Sequence, residues 1–161
     1  MASVAEDVQS RVARPTDYDR IVAVIDDWWG RPVRASLPRL FLDHFWATSR
    51  VAEDGYGLAG FLVAFVSPSA PELAYLHFVG VRPDHRRSGL GGALYREFLA
   101  YASSVGCREA RAVTAPGNEG SIRFHQRLGF DVSAPIPDYN GAGRSMVIFT
   151  RSLDTRTDDP N

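Results

Sequence analysis

Cysteine is nearly missing from this 161-residue chain, which has one, Cys107. A single thiol excludes an internal disulfide and a cysteine-based metal cluster, and its plain reading is a small buried residue. Charge of one sign is also lacking. The formal net charge is −1, so no basic footprint for nucleic acid or an anionic membrane is expected. Long hydrophobic runs are absent. The longest, Phe61 to Val66, is far too short to span a bilayer. The first residues, Met-Ala-Ser-Val-Ala-Glu-Asp, lack a basic region followed by an apolar one, so no signal peptide is expected and a cytoplasmic location is. The four histidines are dispersed, which predicts no metal site. No internal repeat is visible.

What is present is the balance of a soluble globular protein. Hydrophobic residues make up 45% and charged residues 23% of the chain, enough for one domain with a sizeable core. That domain is expected over residues 8–153, followed by a polar tail at 154–161. Gln9 to Arg14 reads as a short strand. Thr16 is placed to cap a helix running to about Trp29, with Ile21, Val24, Ile25 and Trp28 on one face. Ser36 is expected to cap a second helix, with Pro38 in its first turn and Leu37, Leu40, Phe41, His44 and Phe45 as its stripe. Val51–Glu53 and Leu58–Val66 read as a hairpin across Asp54-Gly55-Tyr56-Gly57. Leu73–Val81 and Ala110–Ala115 are further strands. Gly89–Val105 is a helix with Leu90, Leu94, Phe98, Tyr101 and Val105 on one face. Glu119–Leu128 is another helix, and Phe130–Val132 and Met146–Leu153 are the last strands. The order β-α-α-β-β-β-α-β-α-β-β predicts a mixed α/β fold. Its strand–helix–strand units point to a partly parallel central sheet flanked by helices.

The most informative stretch is Val81-Arg82-Pro83-Asp84-His85-Arg86-Arg87-Ser88-Gly89-Leu90-Gly91-Gly92. Glycine permits close backbone approach and unusual dihedrals. The first N–H groups of a helix have no internal partner and sit at the positive end of its dipole. A glycine-rich helix start is therefore suited to phosphate. No Walker A run exists. The dinucleotide fingerprint fails, because its third glycine position, counted from Gly89, is Leu94; Glu109 lies near where a ribose-binding acid would be, but the antiparallel hairpins do not suit that fold. The pattern Arg/Gln-x-x-Gly-x-Gly/Ala of a coenzyme A turn fits at Arg86-Arg87-Ser88-Gly89-Leu90-Gly91.

Val81-x-Pro83 precedes that turn, and downstream lies Asn118-Glu119-Gly120-Ser121-Ile122-Arg123-Phe124-His125-Gln126-Arg127-Leu128-Gly129-Phe130. Together with the order of elements, these segments resemble the GNAT N-acetyltransferase superfamily over nearly the whole chain. The resemblance implies an enzyme that moves an acetyl group from acetyl-CoA to a primary amine of a small molecule or peptide. It implies that the coenzyme's pantetheine arm pairs with the backbone of Val79 and Val81, between two strands that splay apart. The pyrophosphate would meet backbone N–H groups from Arg87 through Gly92, spanning Ser88, Gly89, Leu90 and Gly91, with Arg86 and Arg87 able to add charge. Asn118 matches a cofactor-binding position and is also a natural helix N-cap. Ser121 is a weaker candidate, and Arg127 reads as a surface charge. No metal is implied, and a homodimer is a family-level expectation.

Transfer by direct attack needs a base, since a free alkylamine with a pKa of about 10 is mostly ammonium near neutrality. Strand alternation puts Tyr75, His77, Val79 and Val81 on one face. Members of the superfamily carry a base at places matching Tyr75 and His77, which makes His77 the base candidate and leaves open a packed strand histidine. The backbone N–H of Val79 would serve the developing oxyanion by family analogy. His125 stands where a tyrosine acid is common. It is either that acid or a group that packs and positions the coenzyme sulfur. The acceptor segments implied are Asp26-Asp27-Trp28-Trp29-Gly30-Arg31 and Pro137-Asp138-Tyr139-Asn140-Gly141. Asp26, Trp28, Trp29 and Tyr139 would suit a cationic amine through ion pairing and cation–π contact. The alternative is a non-catalytic acyl-CoA-binding regulatory module on the same fold, supported by the missing tyrosine.

Overall fold

Leu73–Val81, expected as a strand, is one with those bounds, and the rest of the sheet is built around it. The structure is a computed structural model that describes residues 7–153; the polar tail at 154–161 lies outside the described residues. In chain order the elements are β1 Gln9–Val12, α1 Asp17–Val22, α2 Ile25–Trp29, α3 Leu40–Phe45, β2 Arg50–Asp54, β3 Gly57–Val66, β4 Leu73–Val81, α4 Leu90–Ser104, β5 Glu109–Thr114, α5 Glu119–Arg127, β6 Asp131–Val132 and β7 Val147–Ser152. Among the described residues the strands form a seven-stranded sheet in the order β1-β2-β3-β4-β5-β7-β6. The β1/β2, β2/β3, β5/β7 and β6/β7 pairs are antiparallel, and β4/β5 is parallel. The fold is therefore the mixed α/β layer expected. One detail differs: β7 lies between β5 and β6, so the second strand–helix–strand unit closes without a parallel pair. The six-residue β7 pairs along the whole of β5, which the two-residue β6 could not do.

The chain resolves into two compact units. The first holds the described residues up to Phe65 together with Phe78–Phe98. Its core gathers Ile21, Ile25, Leu37, Leu42, Val51, Phe61 and Val63, each at most 1% exposed. Burying a side chain such as Phe61 contributes about 1.5–3 kcal/mol. The expected first helix is broken: Val24 leaves helical geometry at φ −122°, and its N–H bonds back to Ile21. The run Ile21-Val22-Ala23-Val24-Ile25 is rich in β-branched side chains, which crowd the preceding turn. Thr16 makes no side-chain cap. Instead the carboxylate of Asp17, 3% exposed, accepts from Arg14 N and pairs with Arg11 at 2.8 Å. The second helix starts late, at Leu40. Leu37 precedes Pro38, which excludes it from helical geometry, and a 3₁₀ turn over Arg34–Ser36 fills the gap. His44, expected on the buried stripe, is exposed, and Leu42 is buried in its stead.

The second unit holds Val66–His77 and the chain from Leu99 on, with Ala110, Ala112, Phe130, Val147 and Phe149 buried. Cys107 is buried as expected, and burial pushes its thiol pKa up. Along α4 the expected stripe holds at Leu94 and Phe98 and fails at Tyr101 and Val105, which are exposed. The buried face runs instead through Tyr95, Leu99 and Ala102.

Candidate functional site

The glycine-rich turn leads into α4, and its exposure falls along the way. Arg86, Arg87, Ser88 and Gly89 are exposed, Leu90 and Gly92 are half-buried, and Gly91 is buried. Arg87 and Gly89 both adopt left-handed backbone, with φ of 67° and 84°. Gly89 needs its missing Cβ for that conformation rather than for space, since no atom lies within 4 Å of where a Cβ would stand. Alternation of this kind turns successive N–H groups toward one side, the geometry of an anion-binding concavity. The Ser88 hydroxyl donates to His85 O at 2.5 Å, and Ser88 Oγ accepts from Leu90 N at 3.4 Å. The Arg86 guanidinium donates to the Trp28 carbonyl, so part of its charge already has a protein partner.

Three residues that the sequence did not assign to the site brace this turn in the same unit. Asp54, the last residue of β2, has a side chain 2% exposed. Its carboxylate accepts from Arg82 Nη2 at 2.5 Å and Nη1 at 3.1 Å. It also meets His85 Nε2 at 2.7 Å. The Arg82 and His85 bonds hold the Asp54 pKa well below the usual carboxylate range. Asp54 lies 28 residues from Arg82 and 31 from His85, so no local motif could have joined them.

Strand β4 alternates as expected except at Phe78, which is half-buried like its neighbours. Ala74, Leu76 and Gly80 are buried, while Tyr75, His77, Val79 and Val81 are half-buried. In the first unit Gly80 carries the aromatic packing. A Cβ there would lie 2.8 Å from Phe61 Cζ and 2.9 Å from Trp29 Cη2. Trp29 also packs on Phe78 at 4.8 Å between centroids. In the second unit the parallel ladder joins Leu73↔Glu109, Ala74↔Ala110 and Tyr75↔Arg111; among the described residues it goes no further, although β5 continues to Thr114. The Tyr75 and His77 rings are 6.3 Å apart. Burial, with the nearby Tyr139 phenol, pushes the Tyr75 pKa up to about 12, so it stays a neutral hydroxyl at neutral pH.

The head of α5 is tied down by its own side chains. Asn118 Oδ1 accepts from Ser121 N at 3.2 Å, and its Nδ2 donates to Thr114 Oγ1 at 3.1 Å. The capping role of Asn118 is thus in place. His125 is 4% exposed and stacked on Phe149 with centroids 3.9 Å apart. Its Nδ1 lies 2.8 Å from the Ser121 carbonyl, so that nitrogen carries the proton. Burial outweighs that bond and pushes the His125 pKa down to about 4. The ring is neutral near pH 7, which works against an imidazolium acid and fits a packing or positioning group.

The expected acceptor residues divide. Asp26 Oδ1 accepts from the backbone N–H of Val33 at 2.8 Å and of Arg34 at 3.2 Å, closing the loop after α2. Trp28 is 8% exposed and stacks with Phe61, so it is core. Trp29 packs against Phe61 and Phe78. Tyr139 is 48% exposed, in a loop turned by Asp138 at φ 54°. Of the named residues, the first unit therefore gathers Val79, Val81, the turn and the two tryptophans. The second gathers Tyr75, His77, Asn118, Ser121, His125 and Tyr139.

The chain is 39% identical over 61 residues to an L-methionine sulfoximine/L-methionine sulfone acetyltransferase of Pseudomonas paraeruginosa, covering 38% of this chain and 36% of that protein. It is 33% identical over 85 residues to the L-amino acid N-acyltransferase MnaT of Escherichia coli, covering 51% and 49%. The matches thus span between about a third and a half of these relatives' own length. The diaminobutyrate acetyltransferase EctA of Paenibacillus lautus, solved with L-2,4-diaminobutyric acid and coenzyme A, shares the fold with a TM-score of 0.69 and 22% identity. That likeness covers 90% of this chain and 95% of EctA. The acetyltransferase (GNAT) family model matches residues 10–130. That span takes in β4, the exposed turn and the Asn118–Phe130 segment alike, and the chain belongs to the GNAT acetyltransferase family.

Proposed function

We propose that this protein transfers an acetyl group from acetyl-CoA to the primary amine of a small, amino-acid-like molecule. The observation that carries this reading is the turn Arg86–Gly92, exposed from Arg86 to Gly89, with left-handed backbone at Arg87 and Gly89 ahead of α4. No atom lies within 4 Å of where a Cβ at Gly89 would stand, which leaves a pyrophosphate room to approach the backbone there. The β4/β5 ladder that stops at Tyr75↔Arg111 supports a second element of the reading, an edge of β4 able to take an extended amide chain at Val79 and Val81. The acceptor class rests on the relatives, whose names specify methionine sulfoximine and L-amino acids.

In this mechanism His77 takes the proton from the attacking ammonium, directly or through water, and the amine nitrogen forms a bond to the thioester carbonyl. The Val79 N–H receives the oxyanion. The carbon–sulfur bond then breaks as the nitrogen gives up its second proton, which passes to the departing thiolate, whose conjugate acid has a pKa near 8.5, leaving the amide and a free thiol. His125 orients rather than protonates, since its buried ring is neutral. Tyr75 keeps its proton at neutral pH. Tyr139 borders the acceptor.

Titration calorimetry with acetyl-CoA, with ATP and NADPH as controls, tests the coenzyme. An amine panel read by free-thiol release tests the transfer. The chain has no lysine, so no ε-amine of its own competes in that assay. His77→Ala is expected to lower kcat about 100-fold at neutral pH while leaving acetyl-CoA affinity within about twofold. Binding without thiol release across the panel would favour the regulatory module.

A further inference from the structure

We propose that Asp54 is a positioning residue for coenzyme binding, holding the entrance of the phosphate turn from a different hairpin. The inference rests on the reading of Arg86–Gly92 as the phosphate site. Asp54 closes β2, and its Oδ1 accepts from Tyr56 N at 2.9 Å, which fixes the carboxylate against its own two-residue turn. From there it reaches the two ends of the short 3₁₀ turn Pro83–His85. On one side Arg82 makes a bidentate contact, 2.5 and 3.1 Å, and on the other His85 Nε2 stands at 2.7 Å. A carboxylate only accepts, so His85 carries its proton on Nε2.

Arg82 directs its remaining donors to the same task. It donates to Leu58 O at 3.0 Å and to the Asp84 carboxylate at 2.7 and 3.0 Å, and its backbone N–H joins Ala59 O at 2.8 Å. The clamp then reaches the phosphate turn through backbone: the His85 carbonyl accepts from both Ser88 N, at 3.2 Å, and Ser88 Oγ, at 2.5 Å. A chain of bonds thus runs from Asp54 through His85 to Ser88, the middle of the exposed segment. A turn with exposed side chains and two left-handed residues has little packing of its own to hold it. Held in one shape beforehand, it binds an anion without a further ordering cost. Asp54 touches no ligand in this scheme; with a side chain 2% exposed, it acts through Arg82 and His85.

The test compares the wild-type chain with Asp54→Asn, which keeps the side-chain shape and removes the charge. Hydrogen exchange on the ligand-free proteins reads the amides of Asp84 through Gly92 directly. Calorimetry reads acetyl-CoA affinity, and steady-state kinetics separates the two KM values from kcat. Asp54→Asn is expected to speed exchange in that segment about tenfold and to weaken acetyl-CoA binding about tenfold, with kcat at saturation and the amine KM within about twofold. His85→Phe removes one arm of the clamp and leaves the Asp54–Arg82 pair. It is expected to act in the same direction, about threefold, and it decides the matter if Asp54→Asn does not fold. Unchanged exchange in the turn of a folded variant overturns the proposal, and so does an equal loss in kcat and in the amine KM. If the wild type binds no acetyl-CoA, the coenzyme reading falls, and the exchange measurement still judges the clamp by itself.

Discussion

Two helices in this chain begin in opposite ways. The head of α5 satisfies itself: Asn118 caps Ser121 with one end of its amide and ties to Thr114 with the other. The head of α4 is approached by exposed backbone with left-handed residues at Arg87 and Gly89. At α5 the capping carboxamide stands 3.2 Å from Ser121 N, whereas at α4 the Ser88 hydroxyl reaches Leu90 N only at 3.4 Å, a weaker cap at the head of that helix. The contrast extends to the histidines nearby. His85 is fixed by charge, against Asp54, and His125 by apolar stacking, against Phe149. Similar local sequence features, a polar residue and a glycine before an amphipathic run, thus give one helix entered by left-handed backbone and one entered by a side-chain cap.

The largest effect expected concerns the dry end. With its pKa pushed down from 6.5 to about 4 by burial, His125 binds a proton more readily in the unfolded chain than in the folded one. Its contribution to stability is therefore complete above pH 6.5 and is lost as the pH falls toward 4, by about 3 kcal/mol. Denaturant midpoints between pH 7 and 4 should show this slope in the wild type and a flatter one in His125→Phe; equal slopes would mean that the ring is not dry. Next, at the open end, Gly89→Val is expected to weaken acetyl-CoA binding about 100-fold, or about 2.7 kcal/mol, because a β-branched side chain resists positive φ. Calorimetry giving an unchanged affinity would erase the contrast between the two helix heads. Asn118→Ala should cost about 1 kcal/mol of stability in urea titration. A simultaneous loss of coenzyme affinity beyond about threefold would show that Asn118 also meets the ligand. The smallest effect is Arg87→Gly, expected to raise stability by up to about 1 kcal/mol by relieving left-handed backbone, which a shift in thermal midpoint would register.

What the sequence made legible was local. The turn could be found because glycine and arginine spacing is read along six consecutive residues, and β4 because its alternation and length are its own. The break at Val24 and the late start of α3 were also local, and were missed for want of weighing the β-branched run and Leu37-Pro38. The backbone role of Asp26 was not legible for a different reason. A carboxylate near two tryptophans resembles an amine site, yet its partners, the N–H groups of Val33 and Arg34, are backbone and carry no sequence signature. Asp54 lay wholly beyond reach, since its partners come from another segment. The order of β7 and β6 depends on which strand can fill β5, a matter of competition between segments rather than of either alone.

Gly80 sets the phase of its strand. Phe61 and Trp29 stand where any Cβ at that position would be, so they act as a key against a notch that only one residue of β4 supplies. Slipping the strand by one residue would bring Val79 or Val81 against the rings, and neither fits. A single missing methyl group thereby fixes which residues of the strand are even and which are odd, and with that the side to which Val79 and Val81 turn.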